Sequence, residues 1–270
     1  MSQETTSNLS LLFEKMWEDY CQISPQAKRI FNLFSTNGEV VLNDHIALRT
    51  FNISGIRIDD LAKVFETEGY RPSGEYHFPQ KKLYAKHWQH ENEQLPKIFI
   101  SEFKLEEGST ELQRIVTKLV KELTPESVKQ PHFLYSGRPW KITTQEYLKL
   151  AEESEYASWM AAFGFRPNHF TINVNAFKKF NSIEKVNEFL QKNGFKLNMS
   201  GGLIKGTPEE MLEQSSTMAE KIKVSFVDGV LEIPSCYYEF AKRYPQKDGK
   251  LYHGFIAQSA DKIFESTNRY

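Results

Sequence analysis

Two stretches decide how this chain is read: Val40-Val41-Leu42-Asn43-Asp44-His45-Ile46-Ala47-Leu48-Arg49-Thr50-Phe51 and Asn168-His169-Phe170-Thr171-Ile172-Asn173-Val174-Asn175. Both alternate in the manner of half-buried strands. Successive side chains on a strand point to opposite faces. In the first stretch this puts His45, Ala47 and Arg49 on one face and Ile46 and Leu48 on the other, with Phe51 joining them after a twist or bulge. In the second, His169, Thr171, Asn173 and Asn175 oppose Phe170, Ile172 and Val174. The apolar faces suit packing against helices. An imidazole and a guanidinium on the other face would be costly to bury without partners.

Each stretch leads into a similar order of elements. After the first, Asp59 and Asp60 open a helical pattern through Leu61, Val64 and Phe65 that ends at Gly69, and strand-like segments succeed it at 70–78, 83–88 and 98–103. After the second, a helix over 183–191 closes on Asn193-Gly194 in the position of a C-cap, and strand-like segments succeed it at 195–199, 214–217, 222–228 and 230–240. The repeat is weak in letters and visible in order, which predicts a duplicated βαβββ module. Helical stripes fill the rest: Leu9, Leu12, Phe13, Met16 and Trp17; Ala27, Ile30, Phe31 and Phe34; and, between the halves, a region over 110–163 typified by Leu112, Ile115, Val116 and Leu119. The expectation is an α+β chain forming one compact unit over 1–270. Its parts are N-terminal helices over 1–39, a first module over 40–104, a helical insertion over 105–166, and a second module with a C-terminal segment over 167–270.

A third strand completes a chemical pattern. Tyr237, Glu239, Ala241 and Arg243 share a face, opposed by Tyr238 and Phe240. Two imidazoles and one carboxylate, His45, His169 and Glu239, then point inward from equivalent parts of the repeat. That is the ligand set of the two-histidine, one-carboxylate triad, which leaves coordination positions open. The histidines are 124 residues apart, so there is no compact metal-binding spacing, and a lone strand histidine is usually a hydrogen-bonded structural residue. Glu102 is a rival ligand, taken to hold in the first half the place of Glu239 in the second. Glu232, seven residues before Glu239 and so on the opposite face of an unbroken strand, is a weaker one.

The motifs NDHIALRTF, NHFTINV and YYEFAKR resemble those of the vicinal-oxygen-chelate superfamily, in which paired βαβββ modules form a cup around one metal. Glu239-Phe240-Ala241-Lys242-Arg243 is similar to the glutamate-ending strand of 4-hydroxyphenylpyruvate dioxygenase and its relatives. The combination of His45 with Arg49, then His169, then Glu239 most resembles the 2-oxoadipate dioxygenase/decarboxylase family, from about Asp44 to Thr267 and including the ending HGFIAQSADKIFES; the chain looks like a short member. The resemblance implies Fe(II) held by His45, His169 and Glu239, a 2-oxo acid and O2 as reactants, and a 2-hydroxy acid and CO2 as products. It also implies that Arg49 grips a substrate carboxylate, which its planar fork suits better than lysine would. Arg243, on the Glu239 face, is a second candidate for a substrate carboxylate, or else steadies the glutamate.

Bulk composition narrows the alternatives. Lys plus Arg is 34 and Asp plus Glu is 35, a formal net charge of -1, so no field draws the chain to nucleic acid or to an anionic membrane. Two lone cysteines, Cys21 and Cys236, fit a reducing cytoplasm, and the polar MSQETTSNLS start lacks the pattern of a secretion signal. A cytoplasmic location is expected, with homo-oligomerisation left open. There is no GxGxxG after a strand, no Walker loop, no GxSxG and no HExxH. Bland readings stand beside the sharp ones. Arg49 could pair with Glu102 or Glu232; Gln214, Ser215 and Ser216 could face solvent; His77, His87 and His90 are read as surface residues, and His253 as structural. Two other functions also use a cup: a glyoxalase-type metal-dependent isomerase or hydrolase, and a non-catalytic small-molecule binder.

Overall fold

The computed structural model describes residues 8–267. Two amphipathic helices come first, α1 (Asn8–Ile23) and α2 (Pro25–Thr36), which bury Leu12, Met16, Tyr20, Ile30 and Phe34. The first module comes next as β1 (Asn43–Phe51), α3 (Ile58–Thr67), β2 (Arg71–Phe78), β3 (Leu83–Gln89) and β4 (Lys97–Phe103). Gly69 turns the chain from α3 into β2 with φ +98°, where a side chain would also meet the His90 ring at 2.9 Å. The insertion holds α4 (Thr110–Val120), α5 (Pro125–Val128), α6 (Thr144–Glu153) and α7 (Glu155–Phe163). Ser154, in extended conformation, breaks α6 from α7 and caps the latter by accepting from the Ala157 N–H at 3.1 Å.

The second module comprises β5 (Pro167–Asn173), α8 (Ile183–Lys192), β6 (Lys205–Thr207), β7 (Leu212–Ser216) and β10 (Glu239–Arg243). A separate hairpin of β8 (Lys221–Phe226) and β9 (Gly229–Pro234) is inserted before the last of these, and α9 (Ala257–Phe264) comes after it. This differs from the expected strands in four ways, the first being β6, which lies outside every expected segment. Residues 195–199 contribute only an isolated bridge, Leu197 to Thr217. Residues 222–228 belong to the hairpin, and the run 230–240 splits between hairpin and sheet at 235–238. The hairpin alternates like any strand, and alternation does not say which sheet a strand joins.

One eight-stranded sheet runs β2-β3-β4-β1-β5-β10-β7-β6. β1 and β5 are antiparallel at its centre, β4 lies parallel to β1, and β10 lies parallel to β5. Each half therefore mirrors the other across the β1–β5 seam, with β10 standing where β4 stands. The alternation read from sequence decides the layers. Phe170 and Tyr238 meet Trp17 of α1 at ring separations of 5.1 and 5.7 Å, and Phe240 meets Phe34 of α2 at 6.3 Å. α3 packs on β4 and α8 on β7 and β10. α9 touches β2 at one edge of the sheet and β6 at the other. Strands at opposite edges of an eight-stranded sheet come within reach of one short helix only if the sheet curls, so the inner face is a cup with α9 across it.

Candidate metal centre

His45 and His169 sit on the two central strands, and Glu239 begins β10 beside β5; all three are buried. Their side chains converge. His45 Nε2 and His169 Nε2 are 3.3 Å apart, His169 Nε2 is 3.2 Å from Glu239 Oε2, and His45 Nε2 is 3.6 Å from Glu239 Oε1. Donors about 2.0–2.2 Å from a shared ion stand roughly 3–3.6 Å apart when adjacent, so the spacing fits a common ligand sphere. It is also the one such cluster of His, Cys, Asp and Glu among the described residues.

The histidines are oriented by their neighbours in sequence. Asp44 Oδ1 is 2.8 Å from His45 Nδ1, and Asn168 Oδ1 is 3.1 Å from His169 Nδ1. Each acceptor takes the Nδ1 proton, which leaves the Nε2 lone pair facing the centre. Asp44 is itself held by Arg243, with Nε at 2.7 Å from Oδ2 and Nη2 at 2.8 Å from Oδ1. Burial pushes the Asp44 carboxyl up, but the charges of Arg243 and Lys97 and the hydrogen bonds from His45 and Arg243 outweigh it and hold the group well below its ordinary value.

Beyond these, the Thr171 hydroxyl lies 3.0 Å from His45 Nε2, and burial works against charge on all three converging groups. Burial pushes Glu239 up to about 8, against a 2.6 Å hydrogen bond donated by Gln214 Nε2. Burial also lowers His45 against the pull of Asp44, and it drives His169 well below its usual value with the charges of His45 and Arg49 acting the same way. Without a cation each of the three disfavours its charged form. A divalent ion accepts both neutral imidazoles and the carboxylate at once, and this donor set fits one.

Arg49 lies on the same face of β1 as His45 and is fully buried. Its guanidinium stacks on Tyr156 and Trp159, with Cζ 4.8 and 5.1 Å from the ring centres, and lies 5.8 Å from that of Phe264. Nη1 donates to Glu155 Oε1 at 3.0 Å, so its partner is neither Glu102 nor Glu232. Nε and Nη2, the edge that takes a carboxylate side-on, have no partner.

Other expected residues fall elsewhere. Arg243 does not present a free edge to a substrate: besides Asp44 it donates through Nη1 to the carbonyls of Tyr252 at 3.0 Å and Gly254 at 2.7 Å. It steadies the centre through Asp44 and His45 instead. Glu102 is not the counterpart of Glu239. Thr171 pairs with Glu239 and Ala47 with Phe99, so the equivalent residue is Phe99; Glu102 points to the other face, where it accepts the Ile58 N–H at the start of α3 at 3.0 Å. Gln214, Ser215 and Ser216 are buried. So is His87, for which the charged letters around it suggest the surface; it bonds Tyr76 at 3.0 Å and Gln89 at 2.8 Å, and burial takes it down to about 3. Sequence reasoning missed Asp44, Asn168 and Glu155, and it placed Tyr237 on the Glu239 face without giving it a part in the site. For the first two the signal was available: a hydrogen-bond acceptor immediately precedes each histidine.

The chain belongs to the 2-oxoadipate dioxygenase/decarboxylase family. Its sequence matches that family over residues 9–131 and 132–252. It is 37% identical over 281 residues to the chloroplastic 2-oxoadipate dioxygenase/decarboxylase of Arabidopsis thaliana, covering 92% of this chain and 74% of that one. The crystal structure of hydroxyglutarate synthase from Oryza sativa in complex with 2-oxoadipate superposes with TM-score 0.92 at 34% identity, covering 100% of this chain and 95% of the other. A Shewanella frigidimarina structure, provisionally described as a hydrolase, superposes with TM-score 0.89 at 49% identity, covering 93% and 98%. In this chain His45, His169 and Glu239 line the cup together with Phe99, Gln214, Tyr237, Phe255, Ile263 and Phe264, around about 20 Å³ of space. That is room for a water.

Proposed function

We propose that this protein is an Fe(II)-dependent dioxygenase that decarboxylates a small 2-oxo acid, with 2-oxoadipate as the preferred substrate. The observation that carries the reading is the pairing of a two-histidine, one-carboxylate cluster with an adjacent buried arginine whose side-on edge is unpartnered. Family membership and the 2-oxoadipate bound to the Oryza sativa relative support the choice of acid. The overall change balances as 2-oxo acid plus O2 to CO2 plus the 2-hydroxy acid shortened by one carbon. One oxygen atom ends in the new carboxylate and the other in the hydroxyl.

His45, His169 and Glu239 would hold the metal, which supplies the redox chemistry when bound. Asp44 and Asn168 keep both imidazoles in the tautomer that offers Nε2. Arg49 fixes the acid by the carboxylate that is not at the metal, and its charge is conserved during turnover because the guanidinium does not give up its proton. Phe255, packed edge-on against His45 at 4.8 Å, and Phe264 close the cup against bulk water. The test is an aerobic assay of iron-loaded protein against a panel of 2-oxo acids, reading O2 consumed and product formed. Equal uptake of O2 and release of CO2 is expected with 2-oxoadipate; turnover under anaerobic conditions would refute the reading and favour an isomerase or hydrolase.

A further inference from the structure

Tyr237 lines the cup and is fully buried, yet its hydroxyl has no hydrogen-bond partner. The ring lies nearly parallel to that of His169, with centroids 4.6 Å apart at 26°. The irregular backbone that carries it is fastened from several sides. Tyr20 donates to the Tyr237 carbonyl, Trp159 Nε1 to the Ser235 carbonyl at 2.7 Å, and the Tyr238 N–H reaches Thr217 Oγ1 at 3.0 Å. Phenylalanine would fill the same space without burying a bare hydroxyl, which is costly.

An orphaned hydroxyl is not enough by itself, since Tyr238 OH is also unpartnered and faces the helices. Tyr237 differs by its company. Trp159, whose Nε1 holds the Ser235 carbonyl two residues before Tyr237, carries the Arg49 guanidinium over its ring at 5.1 Å, and Phe264, which lines the cup with Tyr237, lies 5.8 Å from the same guanidinium. Arg49 Nε, Arg49 Nη2 and the Tyr237 hydroxyl are thus three buried donors without acceptors. A carboxylate offers about four lone-pair directions: two satisfy the arginine edge and a third accepts from a phenol.

We propose that Tyr237 is a specificity-determining residue whose hydroxyl, together with the free edge of Arg49, takes the substrate carboxylate remote from the metal and so selects 2-oxo acids that carry a second carboxylate. The inference rests on the function proposed above and adds the residue that reads the far end of the substrate.

The experiment compares wild type, Tyr237→Phe and Tyr238→Phe with 2-oxoadipate and with 2-oxohexanoate, which has a methyl group in place of the second carboxylate. Binding is measured by calorimetry on zinc-loaded protein without O2, and kcat/KM on the iron-loaded protein. Tyr237→Phe should weaken 2-oxoadipate roughly 10- to 100-fold in both measurements, the worth of one hydrogen bond to a charged group, and leave 2-oxohexanoate and zinc affinity within about twofold. Tyr238→Phe should change nothing. The ratio between the two acids within one variant is independent of how much protein is folded. Equal losses on both acids, or a loss on neither, would overturn the role of Tyr237 while leaving the proposed function intact. Wild type that binds neither acid would sink the proposed function and this inference with it.

Discussion

Replacing Asp44 by alanine tests whether the centre is built from its supports outward. Asp44 receives two hydrogen bonds from Arg243 and one from His45, and all three side chains are buried. Removing it strands the Arg243 charge with only the Tyr252 and Gly254 carbonyls for company. Breaking one side of a buried ion pair costs about 3–5 kcal/mol. With an unfolding entropy of about 2.1 cal/mol/K per residue over 270 residues, that is a fall in Tm of roughly 5–9 °C for the metal-free protein. Arg243→Met should cost a similar amount. The double variant should lose less than the sum, by about 0.5–3 kcal/mol, because no charge is left alone. Asp44 also fixes the His45 tautomer, so metal affinity measured by competition with a chelator should drop about 10- to 100-fold in Asp44→Ala. A Tm within about 2 °C of wild type together with unchanged metal affinity would refute this account of how His45 is held.

Further outcomes rest on the same geometry. Burial holds the Glu239 carboxyl at about 8 in the metal-free fold, above its value of 4.5 in the unfolded chain, so the stability it contributes is whole below pH 4.5 and drains away as pH rises toward 8. Metal-free Glu239→Gln should therefore gain in unfolding free energy over metal-free wild type as pH goes from about 5 to about 8, by on the order of a few kcal/mol, read by denaturant unfolding; a difference that does not change with pH contradicts the assignment. Arg49→Ala should leave metal affinity within about twofold and weaken 2-oxoadipate roughly 100-fold or more, with Arg49→Lys recovering little because a point charge cannot match the fork; calorimetry on zinc-loaded protein reads both. His169→Ala should abolish the rise in Tm that added Fe(II) or Zn(II) gives wild type, and a variant still stabilised by the ion would remove His169 from the ligand set.

The parts of this molecule that were legible in the letters are those where a two-residue period meets a sharp contrast of polarity. β1, β5 and β10 each carry large apolar residues on one side and His45, His169 or Glu239 on the other, so their layers could be assigned without coordinates. Register is different. Glu102 and Phe99 both lie within β4, and only the pairing of Ala47 with Phe99 shows which of them stands where Glu239 stands. β6 is three residues long with a glycine in it, too short to leave a pattern. The Arg49–Glu155 pair spans 106 residues and has no local trace. His87 reads as exposed because charged residues lie near it in sequence, whereas β3 is flanked by strands on both sides and its inner face is covered by Phe255.

The helix that spans the mouth of the cup ties together strands from the far rims of the sheet, and its end is pinned where Ser266 meets Ser216 at 2.8 Å and Asn198 at 2.9 Å. A brace attached to both rims cannot lift from one without slackening the other. Asp261, on the half of the helix nearer that anchor, faces Lys81 at 3.8 Å in a partly exposed pair, while Ile263 and Phe264 turn inward to line the cup. Partly exposed ion pairs contribute little, so the seal over the three converging side chains rests on the apolar packing of Phe255, Ile263 and Phe264 and on the Ser266 anchor.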